Sequence, residues 1–147
     1  MDRNEVVTIK KPSKCSVAEL LDFAALVLAG GEVTPVGLDE RVRKAENLVF
    51  LMQDGCLKGI AALKNPASTY RSGVFHKAQA SVQAKEYPFE LGWVFVIPSS
   101  RRRGLSHKLV QAALSITGGQ GVFATSRSDN VPMHKVLTAH GFSKDRR

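Results

Sequence analysis

Cysteine is nearly missing from this 147-residue chain: Cys15 and Cys56 stand far apart, outside any Cys-x-x-Cys or Cys/His cluster. That pattern suggests neither a disulfide framework nor a metal site, and both are read as packing residues. Long hydrophobic runs are missing too, since the longest, from Phe23 to Gly31, is far short of the roughly 18 residues that span a bilayer. The start, Met1-Asp2-Arg3-Asn4-Glu5, has no signal-peptide core, so a cytoplasmic protein without membrane attachment is expected. No internal repeat or low-complexity segment is visible, and 44% hydrophobic with 23% charged residues excludes disordered, collagen-like and coiled-coil classes. One domain, residues 1–147, is expected, long enough to bury a core without staples.

Acidic residues are the scarce charge: 13 Asp and Glu against 21 Lys and Arg give a net charge of +8. Some anion is implied, whether a nucleic acid, a phosphate-bearing cofactor or an acidic surface, and composition alone cannot choose. Lys10, Lys11 and Lys14, and Arg41, Arg43 and Lys44, form basic groups of the kind that is usually a solvated face.

What is there reads as alternating elements. Val6 to Ile9 is a short β-branched strand, and Ser16-Val17-Ala18-Glu19 has capping-box spacing ahead of Leu20, Phe23, Ala24, Val27 and Leu28 at helical intervals. A second helix is expected over 38–45, acidic in its first turn and basic in its last. Leu48 to Met52 and Leu57 to Leu63 are strands joined by a hairpin turn at Asp54-Gly55. The polar stretch from Lys64 to Pro88 is long for a connection, with a short helix expected near Phe75 to Ala84. Leu91 to Ile97 is a strand, and Leu105, Leu109, Ala112, Ala113 and Ile116 line one face of a helix ended by Gly118-Gly119. Val122 to Thr125 is a further strand, and Ser128-Asp129-Asn130 caps a last helix that runs to about His140 and stops at Gly141. The fold class is therefore α/β (α+β), a mixed and mostly antiparallel sheet flanked by helices, with one parallel pair in the second half.

The most informative junction is Val94-Phe95-Val96-Ile97 followed by Arg101-Arg102-Arg103-Gly104-Leu105-Ser106. A helix start offers unpaired backbone N–H groups and the positive end of the dipole, and Gly104 keeps a Cβ out of an anion's approach. The junction reads as a phosphate cradle. Its plainer reading is a glycine turn beside a solvated charge run. No Gly-Lys-Ser/Thr follows, which excludes a Walker A loop, and Gly-x-Gly-x-x-Gly is absent.

Arg101-x-x-Gly104-x-Ser106 resembles the acetyl-CoA motif Arg/Gln-x-x-Gly-x-Gly/Ala of the GCN5-related N-acetyltransferases (GNAT). Asp54-Gly55-x-x-x-Gly59, the Glu90-to-Ile97 strand, and Asn130 before a helix ending Gly141-Phe142 fall in that family's order. The resemblance covers roughly residues 47–142. It implies an enzyme that transfers acetyl from acetyl-CoA to an amine on a small molecule or a protein. It further implies that the strand splays at a bulge, freeing backbone groups of Val94, Phe95 and Val96 for the pantetheine arm. The amides from Arg102 through Gly104, Leu105, Ser106 and His107 would wrap the diphosphate, with Arg101, Arg102 and Arg103 adding charge. Asn130 would touch the pantetheine, cap its helix, or do both.

Glu90 stands 11 residues before Arg101, where many members place the glutamate that takes the amine's proton. Flanked by apolar Phe89, Leu91 and Trp93, it is either that base or a solvent-facing strand-edge carboxylate. The family's usual acid, a tyrosine seven residues after the asparagine, is replaced by Leu137. His134 can substitute on the same helical face, or be an ordinary surface residue. Only five residues follow Phe142, so the C-terminal sheet edge is expected to be short or completed by a partner, a homodimer being one form. Tyr70, Arg71, Phe75, His76 and Tyr87 are acceptor-site candidates by location, against the plainer reading that they pin the loop to the core. Two rivals follow from the residues: a degenerate GNAT fold that binds CoA or a partner without catalysis, and a basic nucleic-acid-binding module. For the latter, the single Trp93 and scattered arginines form no known reader motif.

Overall fold

The computed structural model describes residues 4–31, 33–78, 83–101, 104–126 and 130–143. Five strands form one sheet in the order β1-β2-β3-β4-β5: β1 (Glu5–Lys10), β2 (Asn47–Gln53), β3 (Cys56–Lys64), β4 (Phe89–Val96) and β5 (Val122–Phe123). The first four pair antiparallel, and β5 lies parallel to β4. The helices are α1 (Val17–Ala29), α2 (Leu38–Arg43), α3 (Ser68–Lys77), α4 (Leu105–Leu114) and α5 (Val131–Ala139). The sheet is mixed, mostly antiparallel and flanked by helices, as its sequence pattern implied.

Local chemistry accounts for most boundaries. Ser16 Oγ accepts from the Glu19 amide while the Glu19 carboxylate accepts from the Ser16 amide, closing both halves of the capping box at the start of α1. Asp54 and Gly55 take φ of 52° and 80°, the two positive values that a tight hairpin between right-twisted strands demands. Strand alternation then sorts β2 and β3 between two cores. Val49, Leu51 and Ala61 pack with Leu105, Leu109, Val110 and Val136 of α4 and α5, whereas Leu48, Phe50, Ile60 and Ala62 meet Phe23, Val27, Leu38 and Val42 of α1 and α2. Covered on both faces, these two strands are near-continuous apolar runs.

Some boundaries differ from the sequence pattern. The helix expected near Phe75 to Ala84 instead starts at Ser68 and ends at Lys77, with a 3-10 turn at Ala84–Glu86. It buries no residue fully and so shows no apolar stripe; Phe75, packed edge-on against Phe123 and tilted against Tyr87, anchors it. The helix α4 ends at Leu114, before Gly118-Gly119, and Val110 is buried in its core face while Ile116 lies beyond its end. β5 has two residues rather than four, because it pairs with β4 only at Phe89 and Glu90. Asn130 caps α5 by accepting from the Met133 amide at 3.2 Å; Ser128 and Asp129 lie outside the described residues.

Candidate active site

The site begins at an irregularity in β4. Ile60 stands opposite Phe95 and Ala62 opposite Gly92, so two steps on β3 span three on β4, and Trp93 takes the positive φ of 53°. This is a β-bulge, and it bends the strand just where pairing with β5 has ended. Beyond Glu90 no strand among the described residues pairs with the edge of β4 that faced β5, and that edge is open. Ile97 donates to the Lys58 carbonyl, and the Phe95 carbonyl lies against Gly59, where an added Cβ would come within 3.3 Å of it. By strand alternation Val94 and Val96 turn their backbone groups to the open edge and Phe95 turns its own towards β3. The resemblance had grouped all three as free; Phe95 instead presents its ring to the cleft, under the Arg101 guanidinium at 5.3 Å.

Arg101, expected to add charge at the cradle, has a structural contact as well. Its Nε donates to the Val96 carbonyl at 2.8 Å, tying the end of β4 to the approach of α4. Arg102 and Arg103 lie outside the described residues. Gly104, at φ 72°, is the N-cap of α4, and no side chain caps this helix start. The amides of Leu105, Ser106 and His107 thus have no intrahelical acceptor, and a Cβ on Gly104 would meet nothing within 4 Å, so the approach to them is open. His107 Nδ1 lies 3.1 Å from His140 Nε2, linking the first turn of α4 to the end of α5.

Both features border one cleft of about 840 Å³. Val94, Val96, Gly104, Ser106 and His107 line it, and so do Asn130 and Leu137 from α5 and its cap. At the other end stand Glu90, Tyr70 and Lys64. Of the loop residues proposed for an acceptor site, Tyr70 reaches the cleft, whereas Phe75 and Tyr87 pin α3 to Phe123. Arg71, His76 and His134 do not line it.

Glu90 is 4% exposed, which removes the reading of a solvent-facing carboxylate. Its Oε2 accepts from the Tyr70 hydroxyl at 3.3 Å; its Oε1 has no hydrogen-bond partner among the described residues and lies 3.6 Å from Lys64 Nζ. Burial pushes the Glu90 carboxyl up, and the Lys64 ammonium and Tyr70 hydroxyl offset this only in part. Burial and the nearby carboxylate push the Tyr70 phenol up to about 12. Lys64 is the residue the sequence pattern missed. It faces Glu90 in the β3–β4 register, a pairing across 26 residues with no local signal.

An open mixed sheet that splays beside an uncapped, glycine-started helix defines the class: an N-acyltransferase fold. The Acetyltransferase (GNAT) family pattern matches residues 28–142, and the chain belongs to that family. Among solved structures it resembles the aminoglycoside N-acetyltransferase AAC(6')-Iy in complex with CoA, at 19% identity and TM-score 0.65, covering 100% of this chain and 94% of that one. An acyl-CoA N-acyltransferase from Pseudomonas aeruginosa gives 18% identity and TM-score 0.66, covering 95% and 88%. A GNAT family protein from Streptococcus pneumoniae TIGR4 gives 13% identity and TM-score 0.65, covering 95% and 87%. No curated protein matches the sequence. Among the described residues no helix is long and apolar enough to cross a membrane.

Proposed function

We propose that the protein transfers an acetyl group from acetyl-CoA to a primary amine by direct attack, with Glu90 as general base. The observation that carries this reading is a buried carboxylate of raised pKa in the same cleft as an open strand edge and an uncapped helix start. The donor fits these groups. The open edge at Val94 and Val96 matches a chain of amides, and the free amides at Leu105, Ser106 and His107 match a diphosphate. The Val96 carbonyl is engaged by Arg101, so its N–H is the group left for pairing. Arg102 and Arg103 are proposed as further phosphate contacts on sequence alone, and Asn130 as a pantetheine contact in addition to its cap.

Bound acetyl-CoA supplies the thioester carbonyl. The chain's own work is to hold that carbonyl against β4, to supply backbone N–H groups for the charge growing on its oxygen, and to take a proton from the amine. An acceptor arrives as an ammonium and must lose a proton before it attacks; a carboxylate raised by burial competes for that proton better than an exposed one. The Tyr70 hydroxyl holds Glu90 in place. Leu137 borders the cleft without an acidic group, and a leaving thiolate whose thiol pKa is near 8.5 can take its proton from water. The AAC(6')-Iy structure with the bisubstrate analogue CoA-S-monomethyl-acetylneamine supports an amine acceptor in general, as an instance of this fold at 20% identity.

Calorimetry with acetyl-CoA tests the donor half. Gly104→Glu is expected to abolish binding, since the side chain enters the open approach with negative charge; Gly104→Ala, whose Cβ meets no atom there, should retain part of it. Unchanged affinity in a folded Gly104→Glu variant removes the cradle. Leu137 supports a second reading, binding without catalysis; tight binding with no CoA release across a broad amine panel would establish it.

A further inference from the structure

Lys64 is the only lysine among the described residues that line the cleft, and its course is unusual. It ends β3 opposite Glu90, and its stem lies across β4 over Gly92, where an added Cβ would fall 2.6 Å from Lys64 Cδ. Its Nζ reaches a point 4.4 Å from the centre of the Trp93 ring and 3.6 Å from Glu90 Oε1. The absence of a side chain at Gly92 thus permits this lysine to extend along the strand to the bulge, the point where the open edge begins. There its ammonium touches the carboxylate assigned to receive an acceptor's proton. Its side chain keeps 24% exposure, half or less of that kept by Lys11 and Lys44 at 56% and 72%.

We infer that Lys64 is itself an acetyl acceptor, modified within the same molecule by acetyl-CoA in this cleft; the inference rests on the proposed donor site and on Glu90 as base. Glu90 removes one proton from the ammonium. The Nζ lone pair forms a bond to the thioester carbonyl carbon, and the C–S bond breaks with its electrons going to sulfur. The nitrogen then loses a second proton and the thiolate gains one, so the products are Nε-acetyl-Lys64, CoA thiol and one proton. The modified side chain carries no charge, which removes the ion-pair partner of Glu90.

The test is incubation of the full chain with acetyl-CoA and no added amine, followed by intact mass and peptide mapping. One acetyl group on Lys64 is expected, at a rate independent of protein concentration and ahead of exposed Lys11 and Lys44. Glu90→Gln should slow it by about 10²-fold or more while the exposed lysines react as before. Lys64→Arg should abolish that modification, and Gly92→Ala should slow it roughly tenfold or more by displacing the stem. Calorimetric binding of acetyl-CoA and CoA release with an added amine, but no acetyl on Lys64, overturns the inference and leaves the proposed function standing. Acetylation that scales with protein concentration, or that is spread evenly over exposed lysines, overturns it as well. No binding of acetyl-CoA at all removes both.

Discussion

The two halves of the sheet spend their backbone differently. Between β2 and β3, seven residue pairs run from the hairpin turn to Asn47 and Leu63, and Leu48 to Leu51 and Ile60 to Leu63 are all buried. Between β4 and β5 the ladder stops after two pairs, Phe89 with Val122 and Glu90 with Phe123. The first half satisfies itself. The second leaves part of the β4 edge without a strand partner among the described residues, holds Trp93 at a positive φ that costs about 1–2 kcal/mol, and buries a carboxylate oxygen that has an ion-pair neighbour, Lys64, but no hydrogen bond among the described residues. Such costs persist where the surrounding packing determines the conformation, and here it is the closed half that does so.

The largest expected effect separates these roles at Glu90. Glu90→Gln should lower turnover by roughly 10²- to 10⁴-fold while leaving acetyl-CoA affinity nearly intact. Wild-type rate should rise with pH through the raised Glu90 value, a limb that the variant should lack. Stability should move the other way. A carboxyl whose folded pKa is raised stabilises fully below its unfolded pKa, and that contribution is lost as pH rises through the folded value. Glu90→Gln should therefore melt no lower than wild type at neutral pH, and thermal scans at pH 5 and 8 check it. A marked drop would make Glu90 part of the closed half.

Phe23→Ala probes the opposite role. Phe23 is fully buried, edge-on to Phe50 at 5.5 Å and to Trp93 at 6.0 Å, so its loss should cost about 3–5 kcal/mol in denaturant unfolding. Because Trp93 is the bulge residue, acetyl-CoA binding should weaken as well. Binding unchanged in the folded fraction would mean that the bulge holds its shape without that support.

The smallest effect is expected at Leu137. Leu137→Tyr should leave CoA release within about threefold of wild type, or raise it, since protonating a thiolate is a modest demand. His134→Ala should reduce turnover only if the imidazole supplies that proton. Activity that appears only in Leu137→Tyr would show wild type to be a binding protein.

Which parts were legible follows from how local each signal is. The Ser16–Glu19 box, the Asp54-Gly55 turn and the Gly104 helix start each lie within a few residues, and each was readable from the chain. The resemblance to the family rested on short motifs of the same local kind, taken in order from Asp54-Gly55 to Gly141-Phe142. What was illegible depended on distant neighbours: Lys64 facing Glu90, Arg101 bonded to Val96, the backbone groups of Phe95 turned to β3, and the early end of β5. The burial of Glu90 belongs to this group, because Tyr70 and Lys64 reach it from other elements. The start of α3 was hidden for another reason, as a helix that buries no residue leaves no hydrophobic period to find.

The helix α3 carries Tyr70 to Glu90 yet is anchored to the rest of the molecule through Phe75 at the edge of the sheet. Substitutions along its exposed side are nearly free in folding terms, so under the proposed function the side of the cleft that would meet the acceptor tolerates change residue by residue, while the side built from β4 and the first turn of α4, where Leu91, Val96 and Leu105 are buried, is held by its packing. Under the proposed function, one side of the cleft is fixed by what it must pack against, and the other is free to change with the amine it meets.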